Sequence, residues 1–92
     1  MFELRVLQYF LTVAREQNIT KAAEALHITQ PTLSRQLMQM EKELGKQLLV
    51  RGTHRIELTS EGMLLRRRAE ELLDLANKTE KEIREDTENI SG

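Results

Sequence analysis

Three residues with hydrogen-bonding side chains, Thr32, Arg35 and Gln39, are spaced so that one face of a helix would present all of them. An arginine can donate two hydrogen bonds to the edge of a guanine, and a glutamine can pair with an adenine in the same bidentate manner. Between residues 28 and 55, five basic residues stand against two acidic ones. Residue types and charge together indicate contact with a nucleic acid, whose phosphates attract a basic surface.

Catalytic and metal-binding chemistry is poorly represented in the chain. There is no cysteine, the four glycines are isolated from one another, and the only histidines are His27 and His54. No glycine-rich phosphate loop or histidine–carboxylate spacing suggests an assembled site, so we expect no enzyme activity, no cofactor and no bound metal. The lack of cysteine excludes disulfides and makes a reducing cytoplasm the simplest compartment.

The net charge of −1 conceals two parts of opposite sign. Up to Ile56 the chain has eight basic and five acidic residues, whereas from Glu57 onward it has six basic and ten acidic ones. We therefore expect the two parts to face different neighbours. The longest apolar runs have three residues, far fewer than the roughly 18–20 that a membrane span needs, so no membrane association is predicted.

Apolar periodicity predicts two helices in the first 26 residues of this single-domain chain. The first helix is placed at about 3–16, where apolar residues follow the i, i+3, i+4, i+7 spacing of an amphipathic helix. A short second helix is predicted at 21–26, and the hydroxyl of Thr20 is suited to cap its first turn. The apolar residues that define the first helix are Leu7, Phe10, Leu11 and Ala14.

A third helix, predicted at 30–44, carries the hydrogen-bonding face. Thr29 is suited to cap its start, Pro31 fits the first turn, where its missing N–H costs nothing, and Gly45 suits a left-handed stop at its end. One apolar residue, Met38, falls on the otherwise polar outward face. It either contacts a thymine methyl group or covers part of the segment that follows the helix.

Residues 48–58 change to alternating apolar periodicity around Gly52, which predicts a short β-hairpin. Thr59 then caps a helix to residue 90, about 46 Å long. Its apolar stripe recurs every three or four residues, as in a coiled coil. The preceding residues are too few to cover such a stripe, so we predict a homodimer; contact with another domain of a longer chain is the alternative. The predicted dimer residues are Leu65, Ala69, Leu72, Ala76 and Ile83.

The order of helix, short helix, helix and hairpin is that of a winged helix-turn-helix, which makes the fold class mainly α. Several motifs occur in this order: Phe10, Ala22-Ala23-x-x-Leu26, Thr29-Gln30-Pro31-x-Leu33-Ser34, Glu41-x-x-Leu44-Gly45, Leu48, Arg51 and Leu58-Thr59-x-x-Gly62. Together, with their spacing, they resemble the N-terminal DNA-binding domain of the LysR-type transcriptional regulators, over about residues 2–75.

The resemblance implies a bacterial regulator that binds an interrupted inverted repeat in double-stranded DNA as a homodimer. Residues 1–58 would form the winged domain, 59–90 the linker and dimerisation helix, and 91–92 a tail. The recognition helix 30–44 would enter the major groove, and the wing 48–58 would contact the backbone or minor groove. An effector-binding domain, which follows in the family and supports possible tetramers, is absent from this sequence, as expected of an excised domain or a naturally short form.

The resemblance also assigns roles around the start of the recognition helix. Thr29 and Ser34 would hold phosphates, together with backbone N–H groups at the helix start. The base edges would be contacted by the three residues of the hydrogen-bonding face. For Arg35 the alternative is a solvated side chain paired with Gln39 or a carboxylate. The DNA-contacting residues expected on this helix are Thr29, Gln30, Pro31, Thr32, Ser34, Arg35 and Gln39.

Arg51 and Arg55 flank the turn of the hairpin, where we expect both to contact DNA. His54 is a weaker candidate, because a histidine in an exposed turn needs no function. The run 66–68 of three arginines is a secondary candidate for flanking phosphates. A winged helix used for protein contact is the rival function, but it would need an apolar outward face on the third helix.

Overall fold

The computed structural model describes the backbone of residues 2–91 and the side chains of residues 2–85. The elements follow in the order α1 (Leu4–Glu16), α2 (Ile19–Leu26), α3 (Gln30–Leu44), β1 (Leu49–Arg51), β2 (Ile56–Leu58) and α4 (Ser60–Ser91). The predicted mainly α winged helix-turn-helix with a long following helix is therefore confirmed. The predicted tail starts one residue too early, because Ser91 is still helical, and Gly92 lies outside the described residues.

Only two residues connect α1 to α2. Gln17 ends α1 in the left-handed conformation, with φ 56°, and donates its N–H to the carbonyl of Val13. Asn18 then caps α2, and its Oδ1 atom accepts a hydrogen bond from the N–H of Lys21 at 2.9 Å. The prediction that Thr20 caps this helix is wrong: Asn18 caps a helix at least as well as threonine does, and it leaves Thr20 inside the first turn.

The turn 27–29 between α2 and α3, together with the residues at the two ends of α3, sets the position of this helix. His27 ends α2 in the left-handed conformation, with φ 58°. The Oγ1 atom of Thr29 accepts a hydrogen bond from the N–H of Thr32 at 3.3 Å, and Pro31 lies in the first turn of α3. Gly45 ends the helix with φ 68°, a conformation that glycine adopts without steric cost. The three predicted end signals of this helix are confirmed.

The two short strands form the predicted antiparallel hairpin. Leu49 pairs with Leu58, and Arg51 pairs with Ile56. The N–H of Ile56 also donates to the carbonyl of Gln17 at 3.0 Å. The hairpin is therefore fastened to the end of α1 as well as closed on itself.

The start of α4 is capped as predicted. The Oγ1 atom of Thr59 accepts a hydrogen bond from the N–H of Gly62 at 3.0 Å, and the same hydroxyl donates to the carbonyl of Gln47 at 2.6 Å. A backbone hydrogen bond at this helix start lowers the pKa of Glu61 below its usual value. Because the Thr59 hydroxyl bonds to Gln47, the cap also fixes the start of α4 against the segment that precedes the hairpin.

Phe10 and a set of aliphatic side chains fill the core. The largest fully buried side chains are those of Phe10, Leu7, Leu33 and Val13. Ala22 and Ala23 on α2 are also buried, and their small side chains allow close packing between helices. The core therefore lies between α1, α2 and α3, beneath the hairpin.

The first turns of α4 complete this core, which corrects part of the predicted dimer interface. Leu65 is 7% exposed, Ala69 is fully buried, and both belong to the hydrophobic cluster of the single chain. They are covered because α4 packs along α1 at this point. Of the other predicted interface residues, Ala76 is half-buried, whereas Leu72 and Ile83 are exposed.

Candidate nucleic-acid interface

The outward face of α3 presents two of the predicted base-contacting side chains, Arg35 and Gln39, both exposed. Among the described residues, no carboxylate lies at ion-pair distance from Arg35, so its N–H donors face solvent. Gln39 makes one long hydrogen bond, from Nε2 to Oε1 of Glu43 at 3.4 Å. Both side chains can therefore form hydrogen bonds to a ligand without breaking a strong interaction in the free chain.

Most of the polar groups in the first turn of α3 form hydrogen bonds with one another. The hydroxyl of Thr29 donates to Oγ1 of Thr32 at 2.8 Å, besides accepting the N–H of the same residue. Pro31 has no N–H, so Gln30 retains the N–H of this turn that faces an incoming anion. Thr29, Gln30 and Pro31 are exposed, whereas Thr32 is half-buried, which places Thr32 at the edge of the outward face.

The hydroxyl of Ser34, which is predicted to hold a phosphate, lies below the surface of the free chain. Its Oγ atom is buried and has no hydrogen-bond partner within the described part of the chain. Ser34 lines a cavity of about 150 Å³ between α3 and the hairpin, together with Met38, Leu49 and Arg51. In this conformation Ser34 therefore faces the junction with the hairpin rather than the surface, because the turn of the helix directs it away from Arg35.

The hairpin exposes all three predicted wing residues, Arg51, His54 and Arg55. Its turn is closed by a hydrogen bond from the N–H of Gly52 to the carbonyl of Arg55 at 2.8 Å. A Cβ on Gly52 would also lie 2.8 Å from that oxygen, so the turn needs glycine. The Nε atom of Arg55 lies 3.6 Å from Oε1 of Glu57, and an exposed pair of this kind contributes little stability.

Glu41 connects α3 to the hairpin and has no counterpart among the predicted functional residues. Its Oε2 atom accepts hydrogen bonds from the N–H of Leu48 at 2.7 Å and from the N–H of Leu49 at 3.2 Å. These N–H groups start the segment that forms β1. Its position as an acidic residue within a mostly basic stretch gave no decisive signal, since Glu43 fits the same description and is exposed.

Positive charge dominates the surface formed by α3 and the hairpin. The five basic residues of this stretch, Arg35, Lys42, Lys46, Arg51 and Arg55, are all exposed. Of the three acidic residues on α3 and the hairpin, Glu41 accepts hydrogen bonds from the hairpin backbone, Glu57 lies 3.6 Å from Arg55, and the third is Glu43. Outside this surface, Arg68 at the start of α4 pairs with Glu71 at 3.0 Å, which makes it a poorer phosphate ligand.

Other kinds of site receive no support from the described residues. No group of three histidine, aspartate or glutamate side chains among them is placed to hold a metal ion. No helix in that part of the chain is both long and apolar enough to cross a membrane.

Known proteins resemble this chain in both sequence and fold. Residues 4–63 match the family of bacterial regulatory helix-turn-helix proteins called the lysR family. The transcriptional regulator BsdA of Bacillus subtilis (strain 168) is 44% identical over 91 residues, which are 98% of this chain and 31% of BsdA. The regulator BenM of Acinetobacter baylyi is 55% identical over 60 residues, which are 65% of this chain and 20% of BenM. The chain thus spans a third or less of these relatives, which are transcriptional regulators and not enzymes.

Two solved DNA complexes contain chains of the same shape. The complex of the BenM DNA-binding domain with catB site 1 DNA matches with a TM-score of 0.88 and 43% identity, over 91% of this chain and 93% of that one. The complex of the CbnR DNA-binding domain matches with a TM-score of 0.88 and 37% identity, over 94% of this chain and 99% of that one. Sequence match and fold agree over the whole helix-turn-helix and hairpin, and the chain belongs to the LysR family of bacterial regulatory helix-turn-helix proteins.

Proposed function

We propose that this chain binds double-stranded DNA sequence-specifically as a homodimer, with α3 in the major groove and the hairpin on the backbone or in the minor groove. The observation that carries the proposal is the outward face of α3, where Arg35 and Gln39 are exposed beside a hairpin that exposes Arg51 and Arg55. Solved complexes of the BenM and CbnR DNA-binding domains with DNA support the assignment.

In this arrangement α3 supplies the sequence-dependent contacts. An α-helix fits the major groove, where Arg35 can pair with guanine and Gln39 with adenine. The residues near the start of a recognition helix contact base edges, and its cap contacts the backbone. Thr29, Gln30 and Pro31 at that start are exposed and would lie against the sugar–phosphate chain, with the half-buried Thr32 at the edge of the groove.

The hairpin supplies contacts that depend less on sequence. Arg51 and Arg55 project from a turn of fixed geometry, and His54 lies between Arg55 and Thr53 in that turn. Positive groups in this position neutralise phosphates, which adds affinity and fixes the orientation of the protein on the duplex. Because Glu41 fixes the hairpin against α3, both elements would dock on one face of the DNA.

The homodimer would form through the exposed part of α4. Four apolar side chains there lie within about 100° of one another on the helix surface, and each is between 40% and 61% exposed. We call them the exposed stripe: Leu64, Leu72, Leu75 and Ile83. The stripe lies beside the buried Leu65 and Ala69, so a second α4 can cover it while the core stays intact.

Charge along α4 complements a second copy that runs in the opposite direction. Residues 60–69 contain three arginines and one glutamate, whereas residues 70–85 contain six acidic and three basic residues. An antiparallel pair would place the positive start of each helix near the negative half of its partner, and that attraction favours the pair. Two α3 helices would then address two half-sites of an interrupted inverted repeat.

The full-length protein would be a transcriptional regulator of the LysR type, with a separate effector-binding domain and with tetramers as a possible assembly. BsdA and BenM are HTH-type transcriptional regulators, and this chain covers a third or less of each. The compartment that fits a DNA partner is the cytoplasm.

Titration of a labelled random duplex at increasing salt tests the proposal. If each chain of the dimer neutralises about five phosphates, the affinity of the dimer should fall by about 10⁵-fold between 50 and 200 mM salt. Selection of bound duplexes from a random library should then return an inverted repeat with half-sites about one helical turn, or a multiple of it, apart. Salt-independent binding, or no enriched sequence, would favour the rival function of protein contact.

A further inference from the structure

Met38 is the exposed apolar residue on the polar outward face of α3, with 66% of its surface accessible. It does not belong to the hydrophobic cluster that includes the nearby Leu37 and Met40. Exposing this much apolar surface on α3 contributes nothing to the core. Because Met38 lies on the same outward face as Arg35 and Gln39, a ligand that meets this face would also cover Met38.

The surroundings of Met38 direct its contact toward the groove. The side chain lines the small cavity between α3 and the hairpin, with Leu49 and Ile56 among the other lining residues. Apolar side chains thus back it on the hairpin side, while its outer part faces solvent. It lies three residues after Arg35, or about 4.5 Å further along the helix axis. One base-pair step is about 3.4 Å, so a base contacted by Met38 would be a close neighbour of the base contacted by Arg35.

We infer that Met38 is a specificity-determining residue that contacts the 5-methyl group of a thymine in each half-site. The inference rests on the proposed function and deepens it. Thymine is the one standard base with a methyl group in the major groove, whereas the other bases present donors or acceptors at that edge. A thioether has no proton to donate and is a weak acceptor, so it would leave the donors and acceptors of those bases without a partner and lower the affinity. Its flexible, polarisable chain can adapt to the methyl group.

Deoxyuridine tests the contact, because it lacks only the methyl group. The half-site is first identified by library selection, and each thymine in it is then replaced singly by deoxyuridine in both half-sites. At one position the Kd of the chain should rise by about three- to fivefold per half-site, as expected for one methyl group withdrawn from an apolar contact. All other replacements should change Kd less than twofold.

Two variants of Met38 and one of Met63 test whether Met38 causes the rise in Kd on the deoxyuridine duplex. We call this rise the deoxyuridine penalty. Met38→Gln should remove the deoxyuridine penalty, whereas Met38→Leu, which keeps an apolar side chain, should retain most of it. Met63 is 56% exposed on α4, so Met63→Gln is a matched control that should keep the full penalty. Thermal unfolding of each variant checks that the fold is unchanged.

The outcomes separate this inference from the proposed function. If the chain selects a duplex but every deoxyuridine replacement is neutral, or if Met38→Gln keeps the penalty, the methionine contact is overturned and DNA binding stands. A selected half-site without thymine near the base contacted by Arg35 would overturn the contact as well. If no duplex is selected at any salt concentration, both proposals fail.

Discussion

The Oε2 atom of Glu41 lies 2.7 Å from the backbone nitrogen of Leu48, so a side chain of α3 accepts a hydrogen bond from the segment that starts the hairpin. A second hydrogen bond to the same oxygen comes from the N–H of Leu49 at 3.2 Å. Because the carboxylate is half-buried, removing it would leave two N–H groups with reduced access to water. This residue therefore helps to fix the position of the hairpin relative to α3.

Glu41→Ala should lower the free energy of unfolding by about 1.5–3 kcal/mol, the range for hydrogen bonds to a charged group. Urea denaturation measures the change. The matched control is Glu43→Ala on the same helix: Glu43 is exposed and makes only the long contact with Gln39, so its removal should stay within about 0.5 kcal/mol. Equal losses for the two variants would contradict the role assigned to Glu41.

Gly62 lies inside a helix, where alanine would ordinarily be favoured by about 1 kcal/mol. Here the opposite is expected, because a Cβ at this position would overlap the backbone carbonyl oxygen of Leu48 and press on the side chain of Leu58. Gly62→Ala should therefore destabilise the fold by about 1–3 kcal/mol, the usual cost of overpacking. Urea denaturation measures it, and a more stable variant would show that α4 does not approach the hairpin this closely.

Arg35→Ala should cost roughly 1–3 kcal/mol on the selected DNA site and relax base preference at one position of each half-site. The measurement is the Kd on the selected duplex and on duplexes with each other base at that position. Arg84→Ala serves as the control, since Arg84 lies far along α4 in an exposed pair with Glu80. If Arg35→Ala weakened all duplexes equally, the guanidinium would contact a phosphate and not a base.

The ends of α3 could be predicted from sequence because local chemistry alone determines them. Thr29, Pro31 and Gly45 each suit only one part of a helix, and the structure places all three as expected. The start of α2 could not be settled in this way, since Asn18 and Thr20 are both competent caps. Tertiary contact decided the choice: Gln17 turns the chain and its carbonyl accepts a hydrogen bond from the N–H of Ile56 in the hairpin, so the helix begins directly after Asn18.

The residues of the site could be predicted from the sequence, but the directions of their side chains could not. The basic residues and the hydrogen-bonding face follow from residue types at helical spacing, which is a local property. The burial of the Ser34 hydroxyl depends on where the hairpin packs against α3, and no local pattern contains that information. For the same reason, periodicity along α4 could not show which apolar residues belong to the chain's own core.

Leu75 offers the sharpest test of the dimer. It is 60% exposed and lies within the exposed stripe, whereas Ala76, from the interface predicted by periodicity, is already half-buried in the single chain. Leu75→Glu should weaken the dimer by roughly tenfold or more, because it removes a leucine that the dimer would bury and places a charge in an apolar contact. Asn77→Glu adds the same charge about 200° around the helix and should leave the dimer unchanged. Sedimentation equilibrium distinguishes them, and equal behaviour of the two variants would mean that a different face of α4 mediates assembly.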